Sequence, residues 1–92
     1  MKRYKVNENM VLVDICGTGA LVATKAGRQE CPYVIPFNDV AVSFWKLMEQ
    51  EKDFEEIVRT VTAEYEVDEN LVRRDLSNFI QGLAERNCVR LL

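Results

Sequence analysis

Residues 37–48 read Phe-Asn-Asp-Val-Ala-Val-Ser-Phe-Trp-Lys-Leu-Met, and in this stretch the spacing of apolar residues changes from two to about 3.6. Asn38 is a good N-cap, and Asp39 places a negative charge in the first helical turn. Phe37 and Val42 have the spacing of a hydrophobic staple. The stretch therefore predicts that a first helix begins at Asn38, directly after a strand.

Short segments rich in β-branched residues precede this helix. Residues 10–16, Met-Val-Leu-Val-Asp-Ile-Cys, predict a strand, and the Gly-Thr-Gly run at residues 17–19 predicts a turn. Residues 21–24 predict a second strand, which completes a hairpin. The polar residues 25–30 then predict a connection to a third strand at residues 31–37.

Two further helices are predicted after the first. Asp53 and Glu56 have the offset of a capping box, so a second helix is expected to begin at Asp53. Asp68 can cap a third helix, and Asn87 can end it because Asn tolerates the left-handed conformation. The buried stripe of this third helix is predicted to contain Leu71, Val72, Leu76, Phe79, Ile80 and Leu83.

Length and composition agree with one globular domain. The 92 residues are 48% hydrophobic and 29% charged, which fits a single core. We therefore predict that residues 1–92 form one α+β domain, with a three-stranded antiparallel N-terminal sheet followed by three helices. Residues 1–9 are charged and polar, unlike a signal peptide, and residues 88–92 form a short apolar tail. With no membrane-spanning stretch, a cytoplasmic location and no membrane partner are expected.

The residue types that the chain lacks narrow its function. There is no histidine, which is the commonest general base and metal ligand. The three cysteines, Cys16, Cys31 and Cys88, are odd in number and far apart, which favours reduced, buried thiols over a disulfide framework or a metal site. We therefore expect a protein that is not an enzyme and has no catalytic residues, cofactor or metal.

Several motifs resemble the PqqD family, named after pyrroloquinoline quinone synthesis protein D. Residues 37–48 resemble its pattern of an apolar residue and Asn, a small residue, an apolar-Trp pair and two further apolar positions. Residues 53–58 and 65–68 are similar to the start of its second helix and to the connection that follows. Residues 75–83 resemble its Asp-apolar-x-x-Phe-apolar-x-x-Leu helix. The order and spacing of these motifs carry the resemblance.

The resemblance implies a winged-helix-like domain that binds the leader of a ribosomally synthesised precursor peptide. In this family the leader adds as a strand along the third strand, and the third helix forms the other wall of the groove. The loaded leader is delivered to a maturation enzyme, often a radical S-adenosylmethionine (radical SAM) enzyme. The candidate peptide-binding residues are Tyr33, Val34, Ile35, Arg74, Asp75, Asn78, Gln81 and Gly82. Asp75 follows two arginines, so it either pairs locally or contacts the peptide.

The prolines of the third strand predict which residues face its open edge. In an antiparallel strand the N–H and C=O of one residue point to the same side, and Pro32 and Pro36 share the parity of Val34. A proline that faced the neighbouring strand would break a ladder hydrogen bond. We therefore predict that these three residues face the open edge, with Val34 as the one N–H donor among them.

A winged-helix DNA-binding regulator is the alternative function. Between residues 68 and 86, however, the predicted recognition helix has three arginines against four acidic residues. The net charge of −3 and the pI near 4.9 are also unfavourable for contact with phosphates. Peptide binding is therefore preferred, and no nucleic-acid partner is expected.

Overall fold

The computed structural model describes residues 4–15, 18–23 and 34–91, which form an α+β fold. In chain order the elements are β1 (Tyr4–Val6), β2 (Met10–Ile15), β3 (Thr18–Ala23), β4 (Val34–Phe37), α1 (Asp39–Glu49), α2 (Phe54–Tyr65), α3 (Glu69–Glu85) and β5 (Val89–Leu91). Strands β2, β3 and β4 form an antiparallel sheet in that order, and three helices follow it. The predicted fold class is confirmed.

One face of the three-stranded sheet packs against the helices. Met10, Leu21 and Phe37 come from its three strands in turn, and all three are buried in the core. Trp45 of α1 is fully buried, as its helical spacing indicates, and its ring centroid lies 6.3 Å from that of Phe37. The helical layer therefore covers this face and leaves the other face of the sheet uncovered by helices.

The turn predicted at residues 17–19 is wrong at two of its three positions. Thr18 and Gly19 pair with β2 inside the sheet. Gly19 has a packing role, because a Cβ atom at this position would lie only 2.6 Å from Cγ2 of Val42 on α1. Glycine here allows the first helix to approach β3 closely.

Some expectations fall on residues that the structure does not describe. They are Cys16, Cys31, the connection at residues 25–30 and the first part of the third strand, including Tyr33. Cys88 is described, and it is fully buried as expected.

A second antiparallel sheet joins the two ends of the described chain. Its register pairs Tyr4 with Leu91, Lys5 with Arg90 and Val6 with Val89. The Asn7 N–H donates to the Cys88 carbonyl at 2.9 Å and extends this pairing. Neither of these two strands was predicted from the sequence. Each strand has only three residues and is stabilised by pairing with a strand at the other end of the chain.

Each helix begins at its predicted cap. The side-chain oxygens of Asn38, Asp53 and Asp68 accept backbone N–H groups two or three residues later, at 2.8, 2.8 and 3.0 Å. Caps of this kind each contribute about 0.5–2 kcal/mol to stability. Asn87 follows the end of α3 with φ of 60°, in the predicted left-handed conformation.

The predicted stripe of α3 is buried at four of its six positions, which are Val72, Leu76, Ile80 and Leu83. Phe79 is only half-buried, and Leu71 is 40% exposed, so the prediction of burial is wrong for Leu71. Leu71 lies in the first turn, at the margin of the apolar stripe, where the neighbouring elements do not cover it. These two side chains instead become candidates for a surface site.

Candidate peptide-binding groove

An aromatic contact connects β4 to α3. The ring of Phe79 on α3 lies edge-on to that of Phe37 on β4, with centroids 5.2 Å apart. Phe79 also contacts Phe44 of α1, at 5.5 Å. Because Phe79 is half-buried, it can form the floor of a surface groove between the free edge of β4 and the third helix. We call this surface the β4–α3 groove.

The strand side of the groove has an open edge. Within the described residues, β4 pairs with β3 alone. Its side chains alternate: Ile35 and Phe37 pack toward the core, while Val34, which is 64% exposed, and Pro36 point away from it. Of the strand residues predicted to bind peptide, Val34 and Ile35 therefore lie on this edge strand.

The strand register agrees with the predicted orientation of the edge. Pro36 pairs with Ala20, and Val34 pairs with Val22. Antiparallel pairs alternate between those that exchange two hydrogen bonds and those that exchange none. Pro36 has no N–H and cannot exchange two, which favours the second kind for both pairs. The N–H of Val34 would then point to the open edge; this orientation stays a prediction.

The helix side of the groove contains two of the predicted residues. Residues three or four positions apart share a face of a helix, so Asp75 and Gly82 lie one turn before and one turn after Phe79. Leu71 lies one turn before Asp75 and presents an exposed apolar side chain. This row forms the wall nearest to β4.

The other three predicted helix residues lie farther around α3. At about 100° per residue, Arg74 and Gln81 are about 140° and about 160° away from Phe79. Asn78 lies between the two rows, about 100° from Phe79. All three are exposed, but the fold does not bring Arg74 and Gln81 next to the β4 edge.

Arg74 and Asp75 are close to each other. The Arg74 Nε atom lies 3.8 Å from Oδ1 of Asp75, and both side chains are at least half exposed. This is the local pairing that was one of the two alternatives for Asp75. An exposed pair of this kind contributes little to stability, so Asp75 remains free to exchange it for a peptide contact.

Arg73 lies on the opposite side of α3 and binds α2. Its Nη2 atom is 2.7 Å from Oε2 of Glu55 and 3.4 Å from Oε1 of Glu69. The hydrogen bond from Arg73 lowers the pKa of the Glu55 carboxyl below its ordinary value. Arg73 thus holds two helices together and is directed away from the groove.

Two groove residues, Leu71 and Phe79, were assigned to the core by their helical spacing. Their sequence signal was present, because both belong to the apolar stripe of α3. Only the packing of β4 against that helix distinguishes the margin of the stripe from its centre.

An open cleft lies elsewhere, beside the β1–β5 sheet, with a volume of about 780 Å³. Its lining includes Lys5 and Arg90 together with Glu8, so it does not select a ligand of one charge. Among the described residues, no group of three or more His, Cys, Asp or Glu side chains could hold a metal ion. Within those same residues, no helix is long and apolar enough to cross a membrane. The β4–α3 groove therefore remains the candidate site.

Comparison with known proteins identifies the family. The model of a family described as coenzyme PQQ synthesis protein D (PqqD) matches residues 28–89, which include β4, all three helices and the start of β5. The chain belongs to the PqqD family. No curated protein sequence matches it. In this PqqD-family chain, the matched region contains the whole described part of the groove.

Two solved structures resemble this PqqD-family chain along most of its length. The structure of TbiB1 in complex with the TbiA(beta) leader peptide has 30% sequence identity and a TM-score of 0.76, and 94% of each chain is covered. The structure of lasso peptide synthetase B1 complexed with the leader peptide also has a TM-score of 0.76, at 16% identity, and covers 94% of this chain and 95% of that one. The second likeness concerns the fold alone.

Proposed function

We propose that this PqqD-family chain is a peptide-binding adaptor. It holds the leader of a ribosomally synthesised precursor peptide and presents it to a modifying enzyme, such as a radical SAM maturase. The observation that carries the proposal is the open edge of β4 beside the half-buried ring of Phe79. The match to TbiB1, whose structure contains a leader peptide, supports it at 30% identity over 94% of both chains.

The leader binds as an added strand. Its backbone pairs with β4, and every second side chain enters the β4–α3 groove. At this edge Val34 supplies an N–H donor and a carbonyl acceptor, whereas Pro36 supplies only a carbonyl. The leader therefore donates more hydrogen bonds to this edge than it accepts from it. Apolar leader side chains against Phe79 and Leu71 supply much of the affinity.

The wall of α3 selects the leader. Asp75 and Gly82 lie beside Phe79 and contact the bound strand, with Asn78 at the outer margin. Arg74 and Gln81, which lie on the far side of the helix, contribute at most to peptide segments that cross over α3. Tyr33 directly precedes β4 in the sequence and stays a proposed contact of the leader.

The adaptor acts by binding and not by catalysis. The sequence contains no histidine, and its proposed site consists of strand backbone, apolar side chains and one carboxylate. Chemistry on the precursor is therefore assigned to the partner enzyme, and the adaptor raises the local concentration of the substrate at that enzyme. We place this activity in the cytoplasm, where precursor peptides are synthesised.

DNA binding by α3 is disfavoured by its charge. Arg73 is engaged by Glu55 and Glu69, as the two ion pairs at 2.7 and 3.4 Å indicate. The exposed cation Arg74 has Asp75 beside it. A recognition helix needs side chains that are free to reach base edges and phosphates.

Titration of a fluorescein-labelled leader peptide against the purified chain tests the proposal. We expect saturable binding at micromolar concentrations or below, measured by fluorescence anisotropy, without any added cofactor. A dissociation constant of about 100 μM corresponds to a binding free energy of only about −5.5 kcal/mol. If binding does not saturate at about 100 μM of the chain, the adaptor proposal is excluded. Any short precursor gene found beside the gene for this chain supplies the leader.

Val34→Pro tests the edge itself. This change removes the N–H that is predicted to face the leader, while a proline at an edge position leaves the inner ladder intact. Loss of one neutral hydrogen bond of about 0.5–1.5 kcal/mol should weaken leader binding by about 2- to 12-fold, with little change in stability.

In amide exchange on the wild type, protection of the Val34 N–H should rise when the leader binds. Protection of the Ile35 N–H instead would mean that the edge has the opposite parity.

A further inference from the structure

The sheet face that points away from the helices is apolar. Cross-strand register aligns two rows of this face across all three strands, Val11 with Val22 and Val34, and Val13 with Ala20 and Pro36, beside the two-strand pair of Ile15 with Thr18. We call the six residues of the two rows the outer face. They alternate along their strands with Met10, Leu21 and Phe37, which are buried against the helices on the other side.

This pattern departs from that of an ordinary solvated sheet. An antiparallel sheet with one face in water normally alternates apolar and polar side chains. Here the six outer-face residues have no charged or hydroxyl side chain, and polar side chains enter only at one end of the sheet, with Thr18 on this face and Asp14 on the inner one. Val34 is 64% exposed and Val11 is 42% exposed, although burial of such side chains is favourable. Val13 and Val22 are partly exposed, and Ala20 at the centre of the face is buried. Contiguous exposed apolar side chains of this kind mark interaction surfaces.

The proposed leader site does not account for the outer face. A leader strand added to β4 lies in the plane of the sheet, beside Val34 and Pro36. Strand β2 is two strands away from β4, at about 10 Å, so the leader does not cover Val11 or Val13. Val11 and Val13 therefore stay available to a different molecule.

The outer face is too small to hold two copies of this chain together by itself. Its two rows extend about 7 Å along the strands and about 10 Å across them. A stable protein interface buries about 800 Å² on each partner. The face therefore fits one part of a larger contact, and that contact needs a neighbouring surface.

We propose that the modifying enzyme docks on the outer face and touches the bound leader in the same contact. The inference rests on the proposed function. Val34 and Pro36 belong both to the outer face and to the strand that the leader extends. A leader strand adds a fourth strand to the sheet, and its outward side chains enlarge the same apolar surface. The enzyme therefore binds the loaded adaptor more tightly than the empty one, and the leader binds more tightly when the enzyme is present.

The double substitution Val11→Thr/Val13→Thr tests the docking surface. Threonine keeps the β-branched shape that suits a strand and adds a hydroxyl to each of the two side chains. Both positions lie on β2, two strands away from the leader edge. The probes are the fluorescein-labelled leader and the purified product of any maturase gene found beside the gene for this chain. We expect enzyme affinity to fall at least 10-fold, while leader affinity in the absence of enzyme changes less than 2-fold.

Val67→Thr is the matched control. Val67 is 41% exposed, close to the 42% of Val11, but it lies in the connection between α2 and α3. This single change, which matches the Val11→Thr half of the double variant in chemistry and exposure, should leave enzyme affinity unchanged. An equal loss of enzyme affinity in the control would overturn the assignment to the outer face.

Three further results would overturn the inference. Unchanged enzyme affinity in the double variant would exclude the face from docking. A clear fall in the urea unfolding midpoint of the free double variant would mean that this chain already covers the face itself. A dimer of the free wild-type chain in analytical ultracentrifugation, lost in the double variant, would identify a second copy as the occupant. Absence of leader binding to the wild type contradicts the proposed function instead, and the anisotropy titration without enzyme reports that separately.

Discussion

Nothing in the structure of the unbound chain requires a glycine at position 82. It lies inside α3, where glycine costs about 0.5–1 kcal/mol relative to alanine, and a Cβ atom built there would meet nothing within 4 Å. By contrast, Glu51, Glu66 and Asn87 occupy left-handed positions, where glycine would be favourable. We therefore expect Gly82→Ala to raise the free energy of unfolding by about 0.5–1 kcal/mol. It should weaken leader binding at least about 5-fold, because the leader passes close to this point.

The control for Gly82→Ala is a change that stabilises a helix away from the groove. Thr60 is exposed on α2, and alanine is the better helix former there. Thr60→Ala should stabilise the chain in urea denaturation and leave leader affinity unchanged. If Gly82→Ala increased both stability and leader affinity, the bound strand would not approach Gly82.

At the scale of elements, the backbone conformation at the end of α2 allows a prediction about stability. Glu66 ends α2 with φ of 53°, a conformation that is unfavourable for a side chain with a Cβ atom. Glu66→Gly should therefore raise the free energy of unfolding by about 0.5–1 kcal/mol, measured by urea denaturation. Asn87→Gly should raise the free energy of unfolding by less, because Asn tolerates the left-handed region. Destabilisation by Glu66→Gly would mean that its side chain contributes more than the backbone strain costs.

The elements also differ in how far the sequence could predict them. The helix starts were predictable, because the caps at Asn38, Asp53 and Asp68 depend on residues within one turn. The β1–β5 sheet was not, because each strand depends on a partner more than 80 residues away. The same limit applies to the site. Exposure of the α3 face was predictable, but which of its residues approach β4 depends on how the helix packs on the sheet.

At the scale of the whole molecule, one small sheet organises three surfaces. Its inner face packs against the helices, its β4 edge is proposed to receive the leader, and its outer face is proposed to receive the enzyme. The Phe37 ring lies between the first two, because it is buried on β4 and contacts Phe79 in the groove. A leader that packs against Phe79 is thus supported directly by the core. Under the proposed function, this support would limit the rearrangement of the adaptor and the entropy lost on binding.

Tyr4 connects the chain start to the helical layer and predicts how stability depends on pH. Its hydroxyl donates to the Lys52 carbonyl in the connection between α1 and α2. Burial, with smaller effects from the Asp53 and Glu56 carboxylates, raises the pKa of Tyr4 from 10.0 to about 12. The folded chain therefore keeps this proton at pH values where the unfolded chain loses it, so the stabilisation is complete below about pH 10 and is lost as the pH rises toward 12.

Urea denaturation of the wild type and of Tyr4→Phe at pH 8, 10 and 11 should show a stability difference that shrinks above pH 10. A difference that stays constant over this range would mean that the Tyr4 hydroxyl titrates alike in the folded and unfolded chains.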